Sequence, residues 1–241
     1  MTTTGIIDLP QFTWRPLGLT QPEILPSAMI AHTAVSGADS LWGFFRSGAS
    51  SGVEAHAYIR ADGTAEQYVL ATMMADANGT ANRWWDPATG AFRGAFSVET
   101  WDGGNPATPW TAAQLNTLAD VAVWLNQRFG VPLTLCPTPQ SPGLGWHALH
   151  HSWSPAHHTC PGPIRISQFT TQLIPLIQRK VMQPAMAANP TLTEIETYVT
   201  KSYQAAGNTD LKGQRYWVRN AGASDKPFAV FTDMDKALGL S

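Results

Sequence analysis

Apolar and polar positions alternate between short buried runs and two longer helical repeats. The run Ala28-Met29-Ile30-Ala31 is uninterrupted and ends at His32, the pattern of a buried strand that delivers a histidine at its C-terminal end. Val53 to Ile59 predicts a second strand, stopped by Ala61-Asp62-Gly63, where Asp-Gly favours a tight turn. Thr64 to Leu70 is its expected hairpin partner. Ala95 to Thr100 (AFSVET) predicts a third strand, apolar until Glu99.

The clearest helix follows. Thr111 and Gln114 have capping-box spacing, and Leu115, Leu118, Ala122, Leu125 and Phe129 repeat at three and four residues. Gly130 stands just past the expected end, with Pro132 beyond it. A second helix is predicted from Pro163 to about Val181, burying Ile166, Phe169, Leu173 and Ile177, with Pro175 kinking or shortening it. Residues 183–191 (QPAMAANPT) read as a linker. Residues 192–241 form a short aromatic segment with a helical opening, near the size at which small domains are marginal. No internal repeat or low-complexity tract is evident.

Composition narrows the function. The chain has 241 residues, 44% of them hydrophobic, so a packed core is expected and wholesale disorder is not. A formal charge of −2 lacks the basic excess of a nucleic-acid protein. No apolar stretch reaches the roughly 18–20 residues of a membrane helix, so no membrane insertion is expected. The N-terminus has no basic start followed by an apolar run, so the reading is a protein made in the cytoplasm without a signal peptide. With no oligomer signal, a monomer is expected. Cys136 and Cys160 are read as a metal ligand or buried thiols rather than a disulfide.

All seven histidines lie in the first two thirds of the chain, and five crowd into GLGWHALHHSWSPAHHTCPGP beside Cys160. Imidazoles next to a thiol suit a borderline-soft ion such as zinc, though a histidine-rich surface loop around a buried cysteine fits equally well. A catalytic zinc site needs three protein ligands and an open position. His32, closing an apolar strand, is a candidate for the ligand from outside the loop, although a lone strand-end histidine is more often structural.

Four ordered stretches, AMIAHTAV, VEAHAYIRADGTAEQYV, FSVETWDG and HHTCPGP, resemble the zinc-dependent N-acetylmuramoyl-L-alanine amidase family. That family includes phage endolysins, wall-recycling amidases and peptidoglycan recognition proteins. The resemblance spans roughly Ala28 to Val181. It implies an α/β fold, a mixed central β-sheet flanked by helices, with residues 1–182 as the catalytic domain; the small, mostly helical C-terminal segment at 192–241 resembles no family of its own and is a candidate cell-wall binder because such enzymes often append one. It also implies Zn2+ held by His32, His147 and Cys160, with His150 and His151 as alternatives to His147. Glu99 matches the family's general base, and His158 stands where relatives carry an oxyanion-stabilising lysine. Some members place a tyrosine before the hairpin histidine. Here Ala55 precedes His56, which throws more weight on Glu99, and His56 itself reads as a core or supporting residue.

The implied reaction is hydrolysis of the amide between N-acetylmuramic acid and L-alanine in bacterial peptidoglycan, by a phage or prophage endolysin acting on the wall after membrane breach. The alternatives are a wall-recycling amidase, a recognition module that binds without cutting, and a structural zinc protein with a closed four-ligand site. Trp84, Trp85, Trp101 and Trp146 are candidates for lining the substrate groove, with core packing the equal alternative for each.

Overall fold

The computed structural model describes residues 5–47, 52–154, 159–186, 216–219 and 227–231, with the backbone path alone for 182–186 and the last two stretches. The chain divides into two compact units, Met1–Ile174 and Pro175–Ser241. The first unit holds β1 (Phe12–Trp14), β2 (Leu25–Ala31), α1 (Trp42–Arg46), β3 (Ala57–Ile59), β4 (Ala65–Gln67), β5 (Trp84–Asp86), β6 (Ala91–Thr100), α2 (Ala112–Phe129), β7 (Gly143–Trp146) and α3 (Pro163–Gln168).

These strands form one mixed sheet in the order β1-β4-β3-β6-β2-β7, with β5 also paired to β6. β2 lies between β6 and β7 and runs parallel to both. From Pro26 to Ala31 it is buried throughout, which explains why Ala28 to Ala31 is a continuous apolar run rather than an alternating one. β3 is parallel to β6, whereas the β3–β4 and β5–β6 pairs are antiparallel. Helix α2 covers the sheet over β2 and β3, burying Leu115, Leu118, Val121, Ala122 and Leu125. Its start has the complete capping box between Thr111 and Gln114, and Gly130 takes the left-handed conformation at its end (φ +71°).

Three expectations are modified. The strand foreseen at Val53–Ile59 pairs only from Ala57, because the His56 N–H turns to Ser97 Oγ (3.2 Å) instead of entering the ladder. The helix foreseen from Pro163 to Val181 is interrupted by a π-helical turn at Phe169–Leu173. That turn ends at Leu173, two residues before Pro175, whose missing N–H cannot serve the Thr171 carbonyl in an α-turn. The helix then resumes as α4 (Ile174–Met186), passing through the first four residues of the expected linker.

The second unit contains the body of α4 and a two-stranded antiparallel sheet, β8 (Tyr216–Arg219) with β9 (Pro227–Phe231). These two strands are what is described of residues 192–241; the rest of that segment, including its expected helical opening, lies outside the described residues. No helix among the described residues is long and apolar enough to cross a membrane.

Candidate functional site

Register brings the candidate residues together. Ala31 on β2 is level with Val98 on β6 and with Trp146 on β7. The next residue along each chain is therefore His32, Glu99 and His147, three side chains side by side at the C-terminal edge of the parallel strands. The parallel ladder continues one step further, with His32 N–H donating to the Val98 carbonyl (2.8 Å). The His32 and His147 rings stand 4.4 Å apart between centroids, and His32 Nδ1 lies 3.8 Å from Glu99 Oε1. Cys160 arrives from the turn before α3. Its carbonyl accepts from Ala148 N–H (2.9 Å), and its Sγ accepts from Thr33 N–H (3.2 Å). Ligand-type atoms of His32, His147 and Cys160 all lie within 4.8 Å of one another.

The outer nitrogen of each ring is committed. His147 Nε2 is 2.8 Å from the Trp153 carbonyl, which can only accept, so this nitrogen carries the proton and Nδ1 keeps its lone pair. His32 Nε2 is 2.9 Å from Asn78 Oδ1. Asn78 is fully buried and its Nδ2 donates to the Ala95 carbonyl (3.4 Å), which turns its oxygen towards the ring. His32 thus also presents a bare Nδ1, on the side facing Glu99. Gly79 makes this close packing feasible: a Cβ there would fall 2.7 Å from the Trp153 carbonyl oxygen, at a φ of +52° that suits glycine.

Burial shapes the charges. His32, 2% exposed, is pushed down to about 3 by burial and by His147, with the Asn78 hydrogen bond opposing. Burial and the nearby charge of Asp102 push Glu99 up to about 8, with the Arg165 guanidinium opposing. The Cys160 thiol is raised by burial and by Glu99, against the pull of Thr33 N–H and Arg165. Among the described residues Glu99 Oε2 is buried and finds no hydrogen-bond partner. Two unprotonated imidazole nitrogens, a thiol and a carboxyl at this spacing suit a borderline-soft divalent cation, whose charge favours the thiolate and carboxylate forms that burial alone disfavours. The outer ring nitrogens are tied as in metal sites generally, where such bonds fix tautomer and ring angle.

Beneath the site lies a polar network that the sequence did not disclose. Arg165, fully buried, donates through Nη1 to Thr33 Oγ1 and Thr100 Oγ1 (2.8 Å each), through Nη2 to the Trp101 carbonyl (2.9 Å) and through Nε to the Thr108 carbonyl (2.8 Å). Thr33 Oγ1 donates onward to Asp102 (2.7 Å), and Thr100 Oγ1 donates to the His32 carbonyl (2.5 Å). Nothing local in the sequence marks Asn78, Asp102 or Arg165, because their partners come from distant parts of the chain.

A groove of about 530 Å³ opens over His32, Glu99, His147 and Cys160. Among the described residues the tryptophan that lines it is Trp153, not one of the four candidates. Trp84 packs in the core beside Trp153, Trp101 packs against a second buried cluster, Trp146 meets the Phe169 ring and Trp85 is exposed on β5. His150 turns its Nε2 to the Cys136 carbonyl (3.0 Å), so His147 and not His150 stands with His32 and Cys160; His151 also falls outside that group. His56 is buried against Phe96, as foreseen for a core residue. His158 lies outside the described residues.

Comparison with known proteins places the fold. The chain is similar to the Staphylococcus aureus hydrolase AmiA, solved in complex with its ligand, at 15% identity over 72% of this chain and 84% of that one, with a TM-score of 0.50. It also matches N-acetylmuramoyl-L-alanine amidase LysC from Clostridium intestinale URNW, at 18% identity over 72% of this chain and 98% of that one, with a TM-score of 0.45. Among curated protein sequences none matches significantly. A family model described as N-acetylmuramoyl-L-alanine amidase matches residues 23–163. That stretch is more than half of the chain and contains His32, Glu99, His147 and Cys160, so the chain belongs to the N-acetylmuramoyl-L-alanine amidase family.

Proposed function

We propose that this enzyme cleaves the amide between N-acetylmuramic acid and L-alanine in peptidoglycan with zinc held by His32, His147 and Cys160, and that it serves as an endolysin. The observation that carries the reading is the convergence of two imidazole Nδ1 atoms and one thiol, each imidazole having its Nε2 tied to a fixed oxygen. Zinc, when bound, supplies Lewis acidity, polarising a carbonyl and making water acidic near neutral pH.

Glu99 is the proposed general base. It takes a proton from the attacking water and returns it to the departing amine of L-alanine. Glu99 lines the groove with its Oε1 facing His32 Nδ1, and its buried Oε2 carries no competing hydrogen bond among the described residues, which supports a carboxylate that takes up a proton. His158, two residues before Cys160, is the proposed donor to the developing oxyanion. The lytic role draws support from the second compact unit, which follows the catalytic one and is proposed as a wall-binding appendage.

The test is hydrolysis of purified peptidoglycan by zinc-loaded protein, scoring new L-alanine amino termini against new reducing ends. Amino termini that disappear with chelator and return with zinc are expected. Glu99→Ala is expected to retain zinc and lose at least about a hundredfold in turnover. Stoichiometric zinc and tight wall binding without new amino termini would make the protein a recognition module. Full lysis by Glu99→Ala would remove the role of that carboxylate.

A further inference from the structure

The segment leaving β2 has five consecutive backbone donors committed. His32 N–H donates to the Val98 carbonyl (2.8 Å), Thr33 to Cys160 Sγ (3.2 Å) and Ala34 to the Thr100 carbonyl (3.1 Å). Val35 and Ser36 donate to the two oxygens of Asp102, at 3.0 and 2.9 Å. Asp102 is itself 1% exposed. Within this segment Val35 has φ +47°, and it is the one non-glycine residue with positive φ among those described. A β-branched side chain is the poorest occupant of that region, where glycine would sit without strain.

Folding gains little from the side chain that imposes this strain. Val35 is 58% exposed, and its isopropyl group lines the groove over His32 and Glu99. Val53, 48% exposed, adds apolar surface to the same groove. A strained backbone, held by a buried carboxylate and presenting an apolar group to the groove, is disadvantageous in the free protein. It becomes useful once the groove is filled.

We infer that Val35 is a substrate-contacting residue, whose isopropyl group packs against the methyl groups flanking the scissile amide, those of the lactyl ether and of L-alanine. The inference rests on the amidase reading. Asp102 acts here as a positioning residue: by accepting from Val35 and Ser36 it holds the backbone in the conformation that points the valine into the groove.

The experiment compares wild type, Val35→Gly and Val35→Ala as zinc-loaded full-length proteins, measuring the unfolding midpoint and the kinetics of L-alanine amino-terminus release. Val35→Gly removes both the strain and the contact. Its midpoint is expected to rise by about 2–4 °C, while kcat/KM falls about tenfold, chiefly through KM. Val35→Ala keeps part of the left-handed strain and part of the contact, so a smaller rise of the midpoint and a smaller loss of kcat/KM are expected. Wild-type kcat/KM in Val35→Gly, or a parallel fall of midpoint and activity in that variant, overturns the inference. A wild-type protein that releases no amino termini instead fails the amidase reading, and this inference with it.

Discussion

His56 makes a pH dependence of stability that is calculable from its surroundings. Its Nδ1 accepts from the Ser97 backbone N–H (3.0 Å) and its Nε2 donates to the Met73 carbonyl (2.8 Å), so the folded protein holds the neutral ring in a single tautomer. The Phe96 ring covers one face at 4.6 Å. Protonating Nδ1 would set a new N–H against the Ser97 N–H in a site that water does not reach. Burial accordingly pushes the group down from 6.5 to about 4, with the Met73 hydrogen bond opposing. Between those two values the unfolded chain binds a proton and the folded chain does not, so stability is full above pH 6.5 and declines as pH falls towards 4. Each pH unit in that window is worth about 1.4 kcal/mol. The expected loss is about 2 kcal/mol at pH 5 and on the order of 3 kcal/mol at pH 4. The assay is urea unfolding at a series of pH values for wild type and for His56→Gln, which keeps a donor and an acceptor. Glu99, raised by burial, contributes a slope of opposite sign near neutral pH, but it is common to both proteins and cancels in their difference. Wild type is expected to lose its advantage over His56→Gln as the pH drops from 7 to 5. A difference between the two proteins that is constant across that range would refute the reasoning.

Two further outcomes follow from the groups beneath the site. Asn78→Ala removes the acceptor that fixes the His32 tautomer, and a 10–100-fold loss of zinc affinity is expected in chelator competition. Unchanged affinity would show that the ring needs no such support. Arg165→Met removes four buried hydrogen bonds and the guanidinium charge that interacts with Asp102, with an expected loss of about 3–5 kcal/mol in urea unfolding. Arg165→Lys is expected to recover little of it, because one ammonium cannot reach the same set of acceptors.

What the sequence disclosed and what it hid divide along the range of the interactions involved. Helix α2 was readable to within a residue, since its cap, its apolar repeat and its terminal glycine are all encoded within twenty positions. β2 was readable because burial on both faces leaves an unbroken apolar run. β1 and β5, three residues each, carry too few positions for a period and exist through pairing with β4 and β6. The candidate site was legible through residue chemistry and family resemblance, which singled out His32, Glu99, His147 and Cys160. Asn78 and Arg165 were not, since an asparagine or arginine looks ordinary until its partner, 46 or 132 positions away, is known. The placement of the tryptophans was open for a related reason: Trp153, whose carbonyl is the acceptor for His147, borders the groove from a turn while its ring packs in the core, and no local pattern encodes that.

The parallel alignment of β2, β6 and β7 separates the chemistry from the lengths of the connections between strands. His32, Glu99 and His147 keep their mutual spacing as long as the two ladders that join β2 to β6 and to β7 stay in register, whatever number of residues joins one strand to the next. Changes in the loops that line the groove around Val53, Pro106 and Ser154 would therefore reshape its walls while leaving His32, Glu99 and His147 aligned. A scaffold of this kind can be refitted to a differently cross-linked wall by changing the loops that line its groove, and domain grafts that preserve those three strands together with the turn carrying Cys160 should keep the three candidate ligands together.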